Sequence, residues 1–446
     1  MNKQILIVLA TLLVVSIVIV GCGGAAAPTS APPTTAPQPT TAPQATTAPE
    51  PTTAPQATTA PQPTQAPAGE AAKLQLLGWS ASDVENETLK QVVADWNASQ
   101  KDFVASFDAS PNYDQSLQTA LAGGQPPDVF YIDSLKFPDF IKNDVLAVPP
   151  AGAIANPDDF YPSLREAFTA NGTFYCPPKD FSTLALIYNK KMLDDAGVKV
   201  PTNWDELAAA SKKLTDSGKG VYGMSLSADA ARWVAFLYQA GGEVIGKDGK
   251  MNINTPEAKQ ALDFYTGMLV DGSAVTPDKV DSGWNGEAFG KEKVAMVVEG
   301  NWIVPFLKKD YPNVDFGIAE LPAGPKGKAT MAFTVCYGVP KNGANIAGSW
   351  KLVDALTNEA GMKKWTDLGL AMPTRKSLRD GWIAEFPDLK VFLDGADYSH
   401  PWQFAPGFTA VTDAINKGIQ EIAAGQATSE SVLKTVQSAG EDVLGK

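Results

Sequence analysis

Histidine is almost absent from this chain: His400 is the only one in 446 residues. A metal site built from several histidines is therefore excluded, and any Ser-His-Asp or Cys-His catalytic machinery would have to include that single residue. His400 lies among Tyr398, Pro401 and Trp402. We interpret it as a packed or surface residue, since that is the commoner situation for a lone histidine. Neither a metal ion nor a cofactor is predicted.

Positive charge is also scarce, because 36 lysines and arginines face 49 aspartates and glutamates and leave a net charge of −13. A nucleic-acid-binding protein needs a basic face to neutralise phosphates, so nucleic acid is excluded as a partner. The 49 acidic residues offer too many carboxylate pairs for a glycosidase site to be identified from the sequence. Ten tryptophans beside one histidine favour binding over catalysis.

Cysteine occurs three times, and the first cysteine follows an apolar run. Lys3 precedes sixteen apolar-type residues at positions 5–20, a length that is short for a membrane span and suits a signal-peptide core. Residues 19–22, Ile-Val-Gly-Cys, resemble the bacterial lipobox, in which the cysteine is lipidated and becomes the mature N-terminus. We therefore predict a signal peptide at residues 1–21, lipidation of Cys22 and attachment to the outer face of the cytoplasmic membrane. An uncleaved membrane anchor is the alternative.

Residues 22–72 are predicted to be a Pro/Thr-rich disordered linker. Within them, residues 34–69 repeat Thr-Thr-Ala-Pro-Gln-Pro/Ala six times with small changes. Such a sequence has nothing to bury and favours an extended polyproline II chain. At about 3.1 Å per residue, residues 25–70 could reach on the order of 140 Å. The linker would let an anchored domain stand off through a cell-wall or surface layer.

The remaining residues, 73–446, are numerous enough for two apolar cores. Strand and helix patterns alternate between residues 73 and 132, which predicts a parallel α/β sheet. Ligands bind such sheets at the carboxyl ends of the strands, where Trp79 and Asp133 are found. Helices predicted at residues 409–424 and 429–444 close the chain.

The middle of the chain, residues 172–191, holds two β-prone segments that are separated by two prolines. Proline donates no backbone hydrogen bond and interrupts a sheet. We interpret this stretch as a crossover from one lobe to another, with Lys179, Asp180 and Ser182 where a ligand between the lobes would be met.

Cys176 and Cys336 lie near predicted junctions of this kind. Outside the cell a cysteine pair tends to oxidise, so a hinge disulfide is a hypothesis. Two free thiols are the alternative.

Several short segments, taken in order and spacing, resemble the extracellular solute-binding proteins of bacterial ABC importers, in the family that includes maltose-binding protein. They include Leu-Ala-Gly-Gly-Gln-Pro-Pro-Asp-Val-Phe at 121–130, Leu-Ile-Tyr-Asn-Lys at 186–190, Gly-Asn-Trp at 300–302 and Met-Pro-Thr-Arg at 372–375. The resemblance covers residues 74–444. It implies a two-lobed α/β fold of the periplasmic-binding-protein type, with hinge crossovers and a ligand cleft between the lobes. One lobe would comprise residues 73–177 and 337–370, and the other residues 182–333 and 376–444.

The resemblance also assigns ligand contacts. Trp302 matches the aromatic residue that stacks on a sugar ring in this family. Asp133 follows the strand after which family members bind sugar hydroxyls. Ser182 stands where maltose-binding protein has an acidic ligand contact, and Asp180 is the alternative acceptor.

Five more residues are expected on cleft-side segments: Trp79, Trp233, Trp284, Arg375 and Trp402. Sugar rings present C–H faces that pack on aromatic rings, and hydroxyls that bind carboxylates and guanidinium groups. For the four tryptophans in this list, a place in the apolar core is the alternative.

The resemblance implies a monomeric, non-enzymatic receptor that captures a sugar or oligosaccharide and delivers it to the permease of an ABC transporter. Two alternatives stay open: a surface-tethered carbohydrate-active enzyme, and a binding protein for a non-sugar polar solute such as a polyamine. A third, an adhesive module, is disfavoured by the lobe-crossing architecture.

Overall fold

The computed structural model describes residues 71–445. The predicted signal peptide, Cys22 and all but the last two residues of the predicted linker lie outside this range. Within residues 71–445, no helix has both the length and the apolar character needed to cross a membrane.

Twelve strands are found in the described residues, and the long strands β6 and β11 lie at the centre of the main sheet. In chain order the strands are β1 (Ala72–Trp79), β2 (Phe103–Ser110), β3 (Val129–Asp133), β4 (Thr169–Ala170), β5 (Thr173–Phe174), β6 (Pro178–Asn189), β7 (Tyr222–Ser225), β8 (Ala274–Val275), β9 (Val294–Gly300), β10 (Phe316–Ala319), β11 (Thr330–Gly338) and β12 (Ser399–Pro401).

Sixteen α-helices connect and cover these strands within residues 71–445. They are α1 (Asp83–Ser99), α2 (Tyr113–Ala122), α3 (Phe137–Lys142), α4 (Pro162–Ala167), α5 (Lys190–Asp195), α6 (Trp204–Leu214), α7 (Ala230–Gln239), α8 (Pro256–Val270), α9 (Asn285–Gly290), α10 (Ile303–Asp310), α11 (Ile346–Thr357), α12 (Glu359–Thr366), α13 (Arg379–Glu385), α14 (Lys390–Asp394), α15 (Thr409–Ala423) and α16 (Ser429–Leu444).

The first lobe is built on a parallel sheet, as predicted. Strand β1 pairs with β2 along its whole length and with β3 at Leu76 and Leu77. Helix α1 begins at Ser82, whose side chain accepts a hydrogen bond from the Glu85 amide while the Glu85 carboxylate accepts one from the Ser82 amide. This reciprocal capping fixes the start of the helix. Helices α11 and α12, from much later in the chain, complete the core.

The second lobe has its own parallel strands. Strand β7 is parallel to β8 and β9, and β9 is antiparallel to β6. Alternate residues of β6 point to opposite faces: Leu184 and Leu186 reach one apolar cluster, Ala185 and Ile187 the other. Helices α6, α7, α8, α15 and α16 cover the first face, and α9, α10, α13 and α14 cover the second. The lobe is therefore a three-layer α/β structure.

Strands β6 and β11 form the waist, the two-stranded connection that continues from one lobe into the other. They are antiparallel, from Ala332 beside Thr183 to Cys336 beside Pro178. Strand β11 pairs with β3 of the first lobe, and β6 pairs with β9 of the second. The predicted crossover is therefore present. Strand β6 includes Pro178, the second of the two prolines, because Pro178 occupies the first strand position, where a missing amide is tolerated.

The core of the first lobe takes side chains from residues 74–176 and 335–371. Tyr161 and Leu164 come from the segment expected in that lobe, but they pack with Phe181 in a cluster of the second lobe. The chain passes the waist here, and Phe181 itself pairs with Met372. The lobe boundaries in detail stay a prediction.

Cys176 and Cys336 form a disulfide, which confirms the hinge hypothesis. Cys176 precedes β6 by two residues and Cys336 lies within β11, with Cα atoms 5.6 Å apart. Both side chains are fully buried in the core of the first lobe. The bond therefore ties the two waist strands together at the point where they enter that lobe.

Replacing both cysteines by alanine is expected to lower the free energy of unfolding by about 2 kcal/mol, because the unfolded chain gains the freedom of a long open loop. Urea denaturation of the oxidised wild type and the double variant measures the difference. A reducing agent should lower the wild-type midpoint toward that of the variant and leave the variant unchanged. Equal midpoints under oxidising conditions would contradict the prediction.

Candidate functional site

The carboxyl ends of both parallel sheets open toward the middle of the waist. In the first lobe, Asp133 at the end of β3 lies beside Val335 of β11. In the second lobe, Gly300 at the end of β9 lies beside Leu184 of β6. Because β6 and β11 pair with each other between these points, the two edges face each other across the waist. The loops that leave them form the walls of a cleft, the usual position of a ligand in such sheets.

Trp79 and Asp133 line one cavity of about 380 Å³ at the edge of the first lobe. The Trp79 ring packs edge-on against Tyr113 and Tyr131, with ring centres 5.5 and 4.9 Å apart. The Tyr113 hydroxyl donates to the backbone oxygen of Tyr131, which fixes both rings. Further polar side chains at this cavity come from Asp114, Gln118, Lys136, Asp139 and Asn143. An aromatic wall thus lies beside carboxylates and amides, a combination that suits a sugar.

The charged form of the Asp133 carboxylate is disfavoured in the folded protein. Its Oδ1 accepts a hydrogen bond from the Leu135 amide at 2.8 Å. Burial raises the pKa of Asp133 from 3.8 to about 6, although the Leu135 amide and Lys136 oppose the rise and Asp114 adds to it. The negative charge at neutral pH is therefore kept at the expense of stability, as is common at binding sites.

Asp133→Asn is expected to raise the free energy of unfolding at pH 7.5 by about 1–2 kcal/mol, after allowance for partial exposure. The folded protein binds more protons than the unfolded chain between the two pKa values, 3.8 and about 6. Wild-type stability should therefore fall as pH rises through that window and stay reduced above it. The asparagine variant keeps the Oδ1 acceptor and lacks this fall.

Chemical denaturation of both proteins at several values between about pH 4 and pH 8 provides the measurement. The advantage of the variant should appear above the window and vanish below it. An advantage that does not depend on pH would mean that Asp133 is not the titrating group.

Trp302 is fixed at the facing edge of the second lobe, two residues after the end of β9. Gly300 is required there, because a Cβ atom at that position would overlap the Trp302 ring. The indole Nε1 donates to Glu299 Oε2 at 3.0 Å. The Arg232 guanidinium lies 5.7 Å from the ring centre, within the range of a cation–π contact.

Glu299 and Arg232 form the support of this ring. Glu299 is 1% exposed, and its oxygens accept from Asn285 Nδ2 at 2.9 Å, Arg232 Nη2 at 2.7 Å and Trp302. Arg232 also pairs with Asp229 at 2.6 Å. Burial alone would lower the pKa of Arg232, but the ion pairs with Glu299 and Asp229 outweigh it and raise the pKa. The paired charges therefore hold the ring in one orientation.

Trp402 joins the two halves of the site. Phe333 of β11 lies between the two tryptophans, with ring centres 5.8 Å from Trp302 and 6.0 Å from Trp402. The backbone oxygen of Trp402 accepts a hydrogen bond at 2.9 Å from Ser134, the residue after Asp133. Trp302, Trp402 and Asp133 are therefore linked through a short chain of contacts at the waist.

Asp180 and Ser182 lie in the waist itself, with partners inside the protein. Asp180 pairs with Lys179 and accepts from Trp365 Nε1 at 2.8 Å. Ser182 is 8% exposed, and its Oγ accepts from the Asn301 amide at 3.2 Å. Their contacts connect β6 to α12 on one side and to the end of β9 on the other. Their observed contacts hold the waist to both lobes.

Three predicted residues are not joined to this site. Trp233 is fully buried in the core of the second lobe, so no part of its side chain faces a ligand. Arg375 is 1% exposed, and it donates to the backbone oxygens of Thr357 and Ala155. Trp284 is half-buried and packs edge-on against Phe306. Trp233, Arg375 and Trp284 are therefore not part of the proposed site.

Sequence reasoning missed Arg232, Glu299 and Phe333. Glu299 directly precedes the Gly-Asn-Trp segment, and an acidic residue inside an apolar strand was the available signal. Arg232 adjoins Trp233 on α7, where almost all of the remaining residues are apolar. Phe333 has the sequence context of an ordinary strand residue. Only its position on β11 places its ring between Trp302 and Trp402.

His400 lies in β12, beside β11, and its ring stacks on Tyr238 with centres 3.9 Å apart. Burial lowers its pKa. No contact among the described residues links it to Asp133 or Trp302. Within residues 71–445, no group of three His, Cys, Asp or Glu side chains is arranged to hold a metal ion.

Comparison with known proteins agrees with this architecture. The family model for bacterial extracellular solute-binding proteins matches residues 80–363, well over half of the chain. The chain therefore belongs to the bacterial extracellular solute-binding protein family. The two-lobed α/β fold predicted from the sequence is confirmed by its topology and by this membership.

Three particular relatives illustrate the likeness. A binding protein of Brucella abortus (strain 2308) is 28% identical over 346 residues, 74% of this chain and 83% of that protein. The maltotriose-binding protein of Pyrococcus abyssi is 24% identical over 378 residues, 81% of this chain and 79% of that protein. The structure of an ABC substrate-binding protein of Listeria monocytogenes in complex with cycloalternan superposes with a TM-score of 0.76 and 24% identity, covering 84% of this chain and 100% of that one.

Proposed function

We propose that this protein is the carbohydrate receptor of an ABC importer and has no enzymatic activity. The observation that carries the proposal is the Trp302 ring, fixed by Glu299 and Arg232 opposite an aromatic, carboxylate-lined cavity of the other lobe. A pyranose has apolar faces and a rim of hydroxyls, so it needs a ring to stack on and charged acceptors at its edges. The names of the Pyrococcus and Listeria relatives support the same ligand class.

Binding would shift an equilibrium between open and closed lobes. Trp302 belongs to the second lobe and Asp133 to the first, so only the closed form lets one ligand contact both. A ligand that interacts better with the closed form shifts the population toward it. The closed protein would then present the surface that the permease recognises, and it would release the sugar unchanged.

The proposal includes a monomer tethered by lipid at Cys22, with the Pro/Thr-rich linker as a spacer to the membrane. Cys22→Ser, made in a chain whose residues 1–21 are replaced by a secretion signal that is cleaved without lipidation, should release the protein from the membrane fraction into the medium, because no acyl chain is then attached. Retention of this variant in the membrane would contradict the lipid anchor. Light scattering of the released variant measures its mass and tests the monomer.

A thermal-shift screen tests the ligand class. The protein is the chain from residue 22 with Cys22→Ser, and the panel contains mono- and oligosaccharides, with amines and amino acids as controls. A ligand at about a hundred times its Kd should add about 2.7 kcal/mol to stability. A sugar that raises the melting temperature and is recovered intact supports the receptor. Cleavage of the sugar would contradict it, and a response to amines alone would overturn the ligand class.

A further inference from the structure

A second cavity, of about 570 Å³, opens at the outer end of the second lobe. Ser227 and Ala228 follow β7, and residues 276–279 follow β8, so these loops line it at the carboxyl ends of their strands. Strands β7, β8 and β9 are parallel, which puts this cavity and Trp302 at the same edge. In the strand order β9-β7-β8, the outer strand lies two strand spacings, about 10 Å, from β9.

A chain of contacts leads from Trp302 to this outer cavity. Arg232 lies against the Trp302 ring at 5.7 Å and pairs with Asp229 at 2.6 Å. Asp229 is the N-cap of α7 and directly follows Ala228, which lines the outer cavity. A ligand that stacks on Trp302 and extends along this edge would therefore pass Arg232 and Asp229 before it reaches the cavity.

The walls of the outer cavity are held by internal hydrogen bonds. The backbone oxygen of Ser227 accepts from the Tyr265 hydroxyl at 2.6 Å. On the β8 side, the Ser282 amide donates to the oxygen of Pro277 at 3.0 Å, and its hydroxyl donates to the oxygen of Val280 at 3.1 Å. Loops fixed in this way need little ordering when a ligand arrives, which favours affinity.

The side chains at the outer cavity suit hydroxyl groups. Asp278 and Lys279 are 71% and 73% exposed and approach each other only to 3.9 Å, so both keep hydrogen-bonding capacity. Gln420 of α15 lines the opposite side, and its amide can both donate and accept. None of the described side chains that line the cavity is aromatic. The cavity therefore offers hydrogen bonds to a polar unit and no plane for a ring to stack on.

We propose that the outer cavity is a second subsite, which binds the hydroxyls of a terminal unit of an oligosaccharide whose inner ring stacks on Trp302. The inference rests on the proposed carbohydrate function and specifies its ligand: a linear oligosaccharide, longer than a disaccharide. A short sugar would occupy the Trp302 end alone. Affinity should therefore rise with chain length until the outer cavity is reached, and then level off.

Isothermal titration of the chain from residue 22 with Cys22→Ser against glucose, maltose, maltotriose, maltotetraose and maltohexaose tests the subsite, alongside the corresponding cello-oligosaccharides. The wild type should bind tetramers at least about tenfold more tightly than dimers, the gain expected for one or two net hydrogen bonds. In the variant Asp278→Ala/Gln420→Ala, that gain should disappear while the affinity for dimers is kept. Ala423→Trp, which fills the cavity, should act in the same way.

The matched control is Asp263→Ala/Gln426→Ala, which removes the same two side-chain types from exposed positions outside the outer cavity. It should keep the full dependence on chain length. Wild-type affinities that do not depend on length, or a cavity variant that binds tetramers as the wild type does, would overturn the subsite and leave the receptor function intact. Absence of binding for every saccharide in both series would overturn the carbohydrate function itself, and the subsite with it.

Discussion

Trp302→Ala is expected to weaken carbohydrate binding by about 2–4 kcal/mol, or about 30- to 1000-fold in Kd, as the loss of a desolvated aromatic anchor does. The ring is fixed before the ligand arrives by the bond to Glu299 and the contact with Arg232. Removing it therefore takes away the stacking surface and leaves Glu299 with one donor fewer. Titration calorimetry with the best sugar from the thermal-shift screen measures the change.

Two further variants separate stacking from general damage. Trp302→Phe keeps a ring and loses only the Nε1 donor, so its affinity should lie between those of the wild type and the alanine variant. Trp96→Ala removes another half-buried tryptophan, which stacks on Phe103 in the first lobe, and it should leave the sugar affinity unchanged. If Trp302→Ala folds and binds as tightly as the wild type, Trp302 is not part of the site.

Arg375→Met is expected to lower the free energy of unfolding by about 3–5 kcal/mol, because it breaks a buried network around a charged group. The guanidinium donates to the backbone oxygens of Thr357 at 2.6 Å, Ala155 at 2.8 Å and Asn156 at 3.2 Å. It also approaches Asp159 at 3.5 Å. Methionine preserves the apolar stem, so the loss reflects the hydrogen bonds and the charge.

Arg379→Met is the matched control, since Arg379 pairs with Asp394 at 2.6 Å but is 26% exposed. Exposed pairs contribute about 1 kcal/mol or less, so this variant should lose far less stability. Guanidinium denaturation gives both values. Sugar affinity of folded Arg375→Met should match that of the wild type. Similar losses of stability in the two variants, or a selective loss of affinity in Arg375→Met, would contradict the structural role assigned to Arg375.

The main elements of the fold could be predicted because their local signals agree. The bounds of α16 match the helix predicted at residues 429–444, and α15 ends one residue before the predicted residue 424. The waist was harder to predict. Two prolines locally oppose a strand, yet β6 includes Pro178 because β11 and the disulfide hold the chain there. Non-local pairing of this kind leaves no periodic trace in the sequence.

The site was predictable only in part, for reasons of side-chain direction. Adjacent residues on a helix point about 100° apart, so Arg232 and Trp233 cannot both face the cleft. Apolar residues occur almost all around α7, so the sequence gives no preferred face. Similarly, the sequence around Arg375 suggests an exposed side chain. Its burial is explained only by the carbonyl groups of Ala155 and Thr357, which are distant in sequence and accept its hydrogen bonds.

The waist also determines the order in which the protein can assemble. The core of the first lobe needs residues 335–371, which follow the first segment of the second lobe, residues 182–333, in the chain. The disulfide of the first lobe joins cysteines separated by 160 positions. When the chain is synthesised from its N-terminus, the apolar residues of β1, β2 and β3 therefore lack some of their packing partners until β11 has been made. Contacts so distant in sequence make folding slow and leave unpaired strand edges exposed meanwhile. The core of the first lobe consequently stays incomplete until residues 335–371 have been synthesised.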